Sequence, residues 1–262
     1  MKRILTASIM IPVVLYAVLG GIDWVFLLVL AVVALICFDE YLNITASSRE
    51  PVAYAAGLFV LLAPAQHLGL FMVLFSLLML TLAMRAADLA AGFGRASAIV
   101  IGVIYIFGSW RTAALLRAMN PWWLVFGLVV NWIGDTGAYY VGRRWGRHKL
   151  ASRVSPNKTW EGAVASAVVS VATGVVALPK LIPGVGYGEA LLLGLAANVA
   201  GQVGDLAESA IKRGAGVKDS GTLLPGHGGL LDRVDSSTFA LPVLYALLMT
   251  MKRQRQTQEC VR

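Results

Sequence analysis

Charge is what this sequence is short of. Only 14% of its 262 residues are Asp, Glu, Lys or Arg, against about a quarter in a soluble domain, while 58% are hydrophobic and the mean hydropathy is +0.74. A water-soluble globule is excluded. Cysteine is nearly absent: Cys37, inside an apolar run, and Cys260, in the tail, support neither a disulfide framework nor a multi-cysteine metal site. The sequence shows no internal repeat and no low-complexity tract, and its apolar stretches lack the period-2 alternation of transmembrane barrel strands.

What is present is a series of long uncharged runs, over residues 4–22, 24–38, 51–84, 97–110, 118–134, 162–179, 190–204 and 236–251. A bilayer core needs about 20 helical residues, and lipid satisfies no backbone polar group, so spanning segments must be helices or closed barrels. The expectation is an all-α, polytopic integral membrane helix bundle. The run 51–84 would be about 51 Å long as one helix, and Pro64 and His67 are expected to break it. About nine transmembrane helices result: 4–21, 23–38, 52–65, 68–84, 97–116, 121–142, 160–178, 189–211 and 236–251. Lys2 and Arg3 before an apolar run resemble the start of a signal peptide, but the many later spans favour a first permanent one.

The net charge of +8 needs no nucleic-acid partner. With the N-terminus inside, 15 of the 22 basic residues fall in inside segments, as the positive-inside rule requires. Lys252, Arg253, Arg255 and Arg262 depart from the rule if 236–251 crosses. Residues 1–130 hold five acidic residues, at or beyond span ends, whereas 131–236 hold eight. Residues 1–120 are therefore expected to be mainly scaffold, and 121–262 to carry the chemistry within one membrane domain.

Ionisable groups within spans are costly and mark interiors or watery cavities. Asn198, Gln202, Asp205, Ser209 and Lys212 follow one another at +4, +3, +4 and +3, a single helix face, with Glu208 four residues before Lys212. Asn131, Asp135, Tyr139 and Gly142 repeat the pattern. For the amides the competing role is interhelical hydrogen bonding; for Asp135 and Asp205 a carboxylate needs a cation or a donor network to stay charged.

Two loops add donors. In Ser155-Pro-Asn-Lys-Thr-Trp-Glu-Gly162, Pro156 and Asn157 favour a turn, and Ser155, Lys158 and Thr159 offer hydroxyl and ammonium donors to phosphate oxygens. Thr159 and Lys158 would equally serve as a helix start and a topology charge. The second segment contains Lys212-Arg213, Lys218-Asp219, Pro225-Gly-His-Gly-Gly229 and Asp232-Arg-Val-Asp235. Its glycines permit close backbone approach to a ligand and present His227 from a tight turn. Asp232 and Asp235, at i and i+3, suit a hard cation such as Mg2+. A hinge, a cap at Asp235 and positive-inside residues would explain these elements singly, but not their combination.

At these residues the sequence resembles the phosphatidate cytidylyltransferase (CDP-diacylglycerol synthase) family. The resemblance runs from Ser209 to Asp235 and extends to Asp135-Thr-Gly-Ala-Tyr139, Ser155 to Gly162, Gly204 to Ser209 and, more weakly, Arg3 to Ala7 with Pro12. It implies condensation of CTP with phosphatidate to CDP-diacylglycerol and pyrophosphate, dependent on Mg2+, with K+ as a second cation. By the same resemblance Asp205 and Asp232 match metal-centre carboxylates, Asp235 is a further candidate ligand, and Asp219 and Asp135 belong to the polar cavity. Lys158, Lys212, Arg213, Lys218 and Arg233 would hold phosphate charge, with Ser155, Thr159, Glu161 and Asn131 completing the substrate site and His227 positioning phosphate. The expected partners are CTP, phosphatidate and surrounding lipids, with a homodimer compatible with the sequence, and the expected place is the cell (inner) membrane with the site facing the cytoplasm. A CTP-dependent lipid or polyprenol kinase is the alternative enzyme. A transporter fits less well, since the unusual residues cluster in one half and in loops on one face.

Overall fold

The computed structural model describes residues 12, 14–45, 47–223 and 228–261. Residues 14–19 are helical; residues 4–11 and 13 of the first expected span lie outside the described residues. Next come α1 (Asp23–Ile44), α2 (Pro51–Leu62), α3 (Ala65–Ala83), α4 (Leu89–Gly102), a π-helical segment (Val103–Gly108), α5 (Ser109–Met119) and α6 (Pro121–Trp145). A hairpin of β1 (Lys149–Ala151) and β2 (Ser155–Thr159) leads to α7 (Trp160–Leu181), α8 (Tyr187–Gly214) and α9 (Leu231–Val261).

Six helices are long and apolar enough to cross a membrane: Asp23–Ile44, Ala65–Ala83, the continuous Leu89–Met119, Trp160–Leu181, Tyr187–Gly214 and Leu231–Gln258. The chain is an integral membrane helix bundle. The expected count of nine is not reached on that criterion among the described residues. Pro51–Leu62, with 12 residues, rises only about 18 Å. Pro121–Trp145 has the length, but Asn131, Asp135, Arg143 and Arg144 dilute its apolar character. The last segment, expected to be short, is a helix of 31 residues.

Helix starts follow local chemistry. Pro51 and Pro121 occupy first-turn positions where no N–H is missed. Asn120 caps α6 by accepting from Trp122 N at 3.0 Å, and Thr159 caps α7 by accepting from Gly162 N at 3.2 Å. The turn expected at Pro156 and Asn157 is instead strand β2, which pairs antiparallel with β1, placing Lys149 opposite Thr159 and Ala151 opposite Ser155 with an irregularity between. Pro156 is tolerated because a strand in a two-stranded ribbon has an unpaired side.

The chain divides into two compact units: Met1–Ala114 with Ile211–Val234, and Leu115–Ala210 with Asp235–Arg262. In the first, Phe38 packs edge-on against Phe107 and Tyr54, both with centroids 5.3 Å apart. Arg111 donates to the carbonyls of Val60 and Leu61 at 3.0 and 3.2 Å, satisfying the C-terminal end of α2.

In the second unit α6 packs most extensively against α7, and a chain of buried polar groups joins α6, α7 and α8. Asn198 donates to Ser166 and Ser170 at 2.8 and 2.9 Å, and Gln202 donates to Asn198 at 2.6 Å and to the Ala163 carbonyl at 3.2 Å. Ser170 donates to the Val130 carbonyl at 3.0 Å. Gly134 makes room for this chain: a Cβ there would lie 2.6 Å from Asn198 Nδ2 and 2.7 Å from both serine hydroxyls. On the opposite face of α7, Val164, Val168 and Val176 are exposed, as a lipid-facing stripe requires. Gly134→Ala is expected to destabilise the protein by about 1–3 kcal/mol through overpacking, whereas Gly94→Ala, with nothing near its added Cβ, leaves stability unchanged or raised; thermal unfolding in detergent compares them.

Candidate functional site

Each unit carries its own cluster of charged side chains. In the second, α6, β2, α7 and α8 enclose a cavity of about 550 Å3. Its walls include Asp135 and Arg143 from α6, Lys158 from β2, and Asp205 from α8, over a floor reached by Ser166 and Gln202. Two members of the polar chain that joins the helices, Ser166 and Gln202, thus also line the cavity.

The ammonium of Lys158 lies 2.5 Å from an Asp205 oxygen, in a half-buried pair with 26% and 29% side-chain exposure. Asp205 also accepts from the Ser209 hydroxyl at 3.4 Å, one turn further along α8. Thr159 lines the cavity; its oxygen caps α7 while its hydroxyl hydrogen remains available to donate. Arg143 donates to the Tyr139 hydroxyl at 2.7 Å. Neither Arg143 nor Tyr139 stood among the expected substrate residues, although Tyr139 lies on the stripe from Asn131 to Gly142; for Arg143 the signal was its place one turn beyond Tyr139 on α6.

Other expected residues of this unit sit elsewhere. Asn131 is buried and donates to Gly127 O of its own helix at 2.9 Å. Glu161 accepts from His148 Nδ1 at 2.7 Å and from the His148 backbone N–H, bracing the start of the hairpin against α7. Ser155 lies in β2 opposite Ala151. Asp235, within α9, accepts from Ser236 N at 2.6 Å.

The first unit holds a more deeply buried cluster. Asp232, in the first turn of α9, receives the Lys212 ammonium on one oxygen at 2.5 Å; its other oxygen accepts Ser220 N at 2.9 Å and Gly229 N at 2.8 Å. The paired side chains are 11% and 5% exposed. Gly228 adopts φ +79°, and a Cβ there would stand 2.5 Å from the Asp232 oxygen, so the turn is closed to other residues. Arg213, Lys218, Asp219 and Arg233 are exposed around this cluster, and the His227 assignment lies outside the described residues. Glu40, from the half expected to be scaffold, is buried and accepts from Ser220 Oγ at 3.0 Å, Leu230 N at 2.9 Å and Leu231 N at 2.8 Å. Sequence reasoning passed over it because its partners lie 180 to 191 residues away.

Among the described residues no three His, Cys, Asp or Glu side chains gather into a ready-made metal cage. A Mg2+ site does not need one, because this ion is commonly held by one or two carboxylates with substrate phosphates and water.

A model of the cytidylyltransferase family matches residues 1–251. The chain belongs to that family. Among similar proteins, the phosphatidate cytidylyltransferase of Brucella suis biovar 1 (strain 1330) is 35% identical over 255 residues, covering 93% of this chain and 91% of its own. That of Staphylococcus saprophyticus subsp. saprophyticus is 35% identical over 261 residues, covering 94% and 98%. That of Bacillus subtilis (strain 168) is 41% identical over 160 residues, covering 60% and 59%. Family membership extends over both units, so the apolar N-terminal helices are part of the family's architecture and not an appendage.

The two lysine pairs should respond differently to truncation. Lys212→Ala leaves the Asp232 carboxylate buried without its ammonium and is expected to destabilise the protein by about 3 kcal/mol or more. Lys158→Ala, at a half-exposed pair, is expected to cost about 1 kcal/mol or less. Thermal unfolding of the two variants in detergent measures the contrast.

Proposed function

We propose that this protein transfers the cytidylyl group of CTP to phosphatidate, giving CDP-diacylglycerol and pyrophosphate, at the cytoplasmic face of the cell (inner) membrane. Family membership and the named relatives matched along nearly the whole chain support this reading. The structural observation that carries it is the cavity with Lys158 paired to Asp205 inside a membrane bundle. A phosphorylated lipid and a nucleotide are both anionic, and such a cavity offers cations to both.

In the reaction a phosphatidate oxygen forms a bond to the α-phosphorus of CTP as the bond from that phosphorus to the bridging oxygen breaks, and pyrophosphate leaves. Catalysis is then chiefly charge neutralisation and in-line positioning. Lys158 and Arg143 supply positive charge in the cavity, Thr159 donates its hydroxyl hydrogen, and Lys212, Arg213, Lys218 and Arg233 supply charge around the 211–234 segment. The monoester already carries an anionic oxygen, so no general base and no covalent enzyme intermediate are required; His227 positions phosphate. Asp135, Asp219 and Asp235 are the further polar candidates of the site.

Mg2+ fits the donor chemistry: Asp205 and Asp232 offer carboxylate oxygens to a hard cation, and each accepts a lysine ammonium at 2.5 Å, so both positions accommodate positive charge. Asp205 in the second unit and Asp232 in the first are each candidate ligands, with Asp235 as a further candidate and K+ as a second cation. When bound, the metal neutralises phosphate charge and stabilises the leaving group.

Purified protein given labelled CTP, phosphatidate and Mg2+ should release CDP-diacylglycerol and pyrophosphate; lipid phosphate with free CDP would establish a kinase instead. Asp205→Asn and Asp232→Asn should each lower kcat by about 100-fold or more with helical circular dichroism retained. Wild-type turnover in either variant removes that carboxylate from the metal assignment.

A further inference from the structure

Glu40 is a carboxylate in an unexpected place. It sits in the last two turns of α1, where the helix dipole disfavours negative charge and no basic residue of that turn compensates. It is 7% exposed. Burial of such a group is tolerable only with donors supplied from outside the helix, and among the described residues its three donors come from one segment: Ser220 Oγ, Leu230 N and Leu231 N. The two backbone donors are at the start of α9, where unpaired N–H groups and the helix dipole favour an anion.

The same segment surrounds Asp232. Ser220 gives its hydroxyl hydrogen to Glu40 and its backbone N–H to Asp232, so one residue ties both carboxylates. Gly221 and Gly229 lie so close to Glu40 that a Cβ at either would strike its carboxylate. Lys218 and Asp219, by contrast, are exposed. Glu40 thus pins the chain between Lys212 and Asp232 to α1 at three described residues.

We infer that Glu40 is a positioning residue for cytidylyl transfer: by clamping Ser220, Leu230 and Leu231 it fixes where α9 begins and therefore where Asp232 presents its carboxylate to Lys212 and to the reacting phosphates. This role rests on the proposed activity, although the clamp itself does not. Glu40 touches no substrate. Its effect is on the geometry of Asp232, hence on turnover, and not on recognition of the lipid.

The test combines amide hydrogen exchange with steady-state kinetics on the full-length protein in detergent. In Glu40→Gln the amide NH2 faces backbone N–H donors, so at least one hydrogen bond is lost. Exchange over residues 219–231 is expected to accelerate at least tenfold while α7 keeps its wild-type rate. The kcat is expected to fall at least tenfold with KM for phosphatidate within twofold, and Glu40→Asp to recover part of the loss. Ser220→Ala, a milder change, should accelerate the same segment less, and the double variant should lose less than the product of the single losses. Unchanged exchange in 219–231, or independent effects of the two substitutions, overturns the proposal. So does acceleration throughout α7, which would make Glu40 a general scaffold residue; if Glu40→Gln does not fold, exchange in Ser220→Ala decides. A wild-type protein making no CDP-diacylglycerol defeats the activity reading, and exchange alone then decides whether the clamp exists.

Discussion

A carboxylate removed from water must be given hydrogen-bond donors or a cation, and much of this molecule is arranged around that requirement. Asp232 is met by one ammonium and two backbone N–H groups, Glu40 by a hydroxyl and two backbone N–H groups. Because the backbone donors belong to the segment before α9 and to its first residue, the carboxylates organise the backbone as much as the backbone satisfies them. The positive φ at Gly228 and the bare Cα of Gly229 belong to the same solution, since a side chain at either position would occupy the space the acids need.

In the second unit the same logic works through neutral groups. Asn198 and Gln202 spend their amide hydrogens on Ser166, Ser170, Asn198 and the Ala163 carbonyl, so three helices are joined by hydrogen bonds in surroundings where burial of apolar area gives little drive for association. The cavity shares Ser166 and Gln202 with this spine and adds the charged Asp135, Arg143, Lys158 and Asp205. A phosphate-bearing headgroup in that cavity meets Lys158 and Arg143, which is why the proposed chemistry suits a bundle of this kind.

Much of this was legible in the sequence. Runs of uncharged residues located eight helices, because the cost of charge in lipid acts on every residue and needs no knowledge of the fold, although Leu89–Met119 begins eight residues earlier and Leu231–Val261 ends ten residues later than the runs imply. The stripes from Asn131 to Gly142 and from Asn198 to Lys212 identified interior faces from helical spacing alone. Lys158, Asp205, Lys212 and Asp232 were singled out by their motifs, and the structure places them in two ion pairs, Lys158 with Asp205 and Lys212 with Asp232. Less legible was the hairpin over Ser155–Thr159, where a proline suggested a turn: a two-stranded ribbon leaves an unpaired side that no composition rule anticipates.

What the sequence by itself determined is therefore the solvent: a chain this poor in charge, with runs this long, belongs in a bilayer as helices, and its acidic and basic residues must collect where the apolar runs end. What only the tertiary structure decided is who holds whom. Glu40 reads as an ordinary residue at a helix end until the fold brings Ser220, Leu230 and Leu231 to it, and Asn131 reads as a site residue until its own helix satisfies it. Hydrogen bonds reach about 3 Å, whereas the residues they join here stand up to 191 positions apart, and no local pattern carries information over that distance.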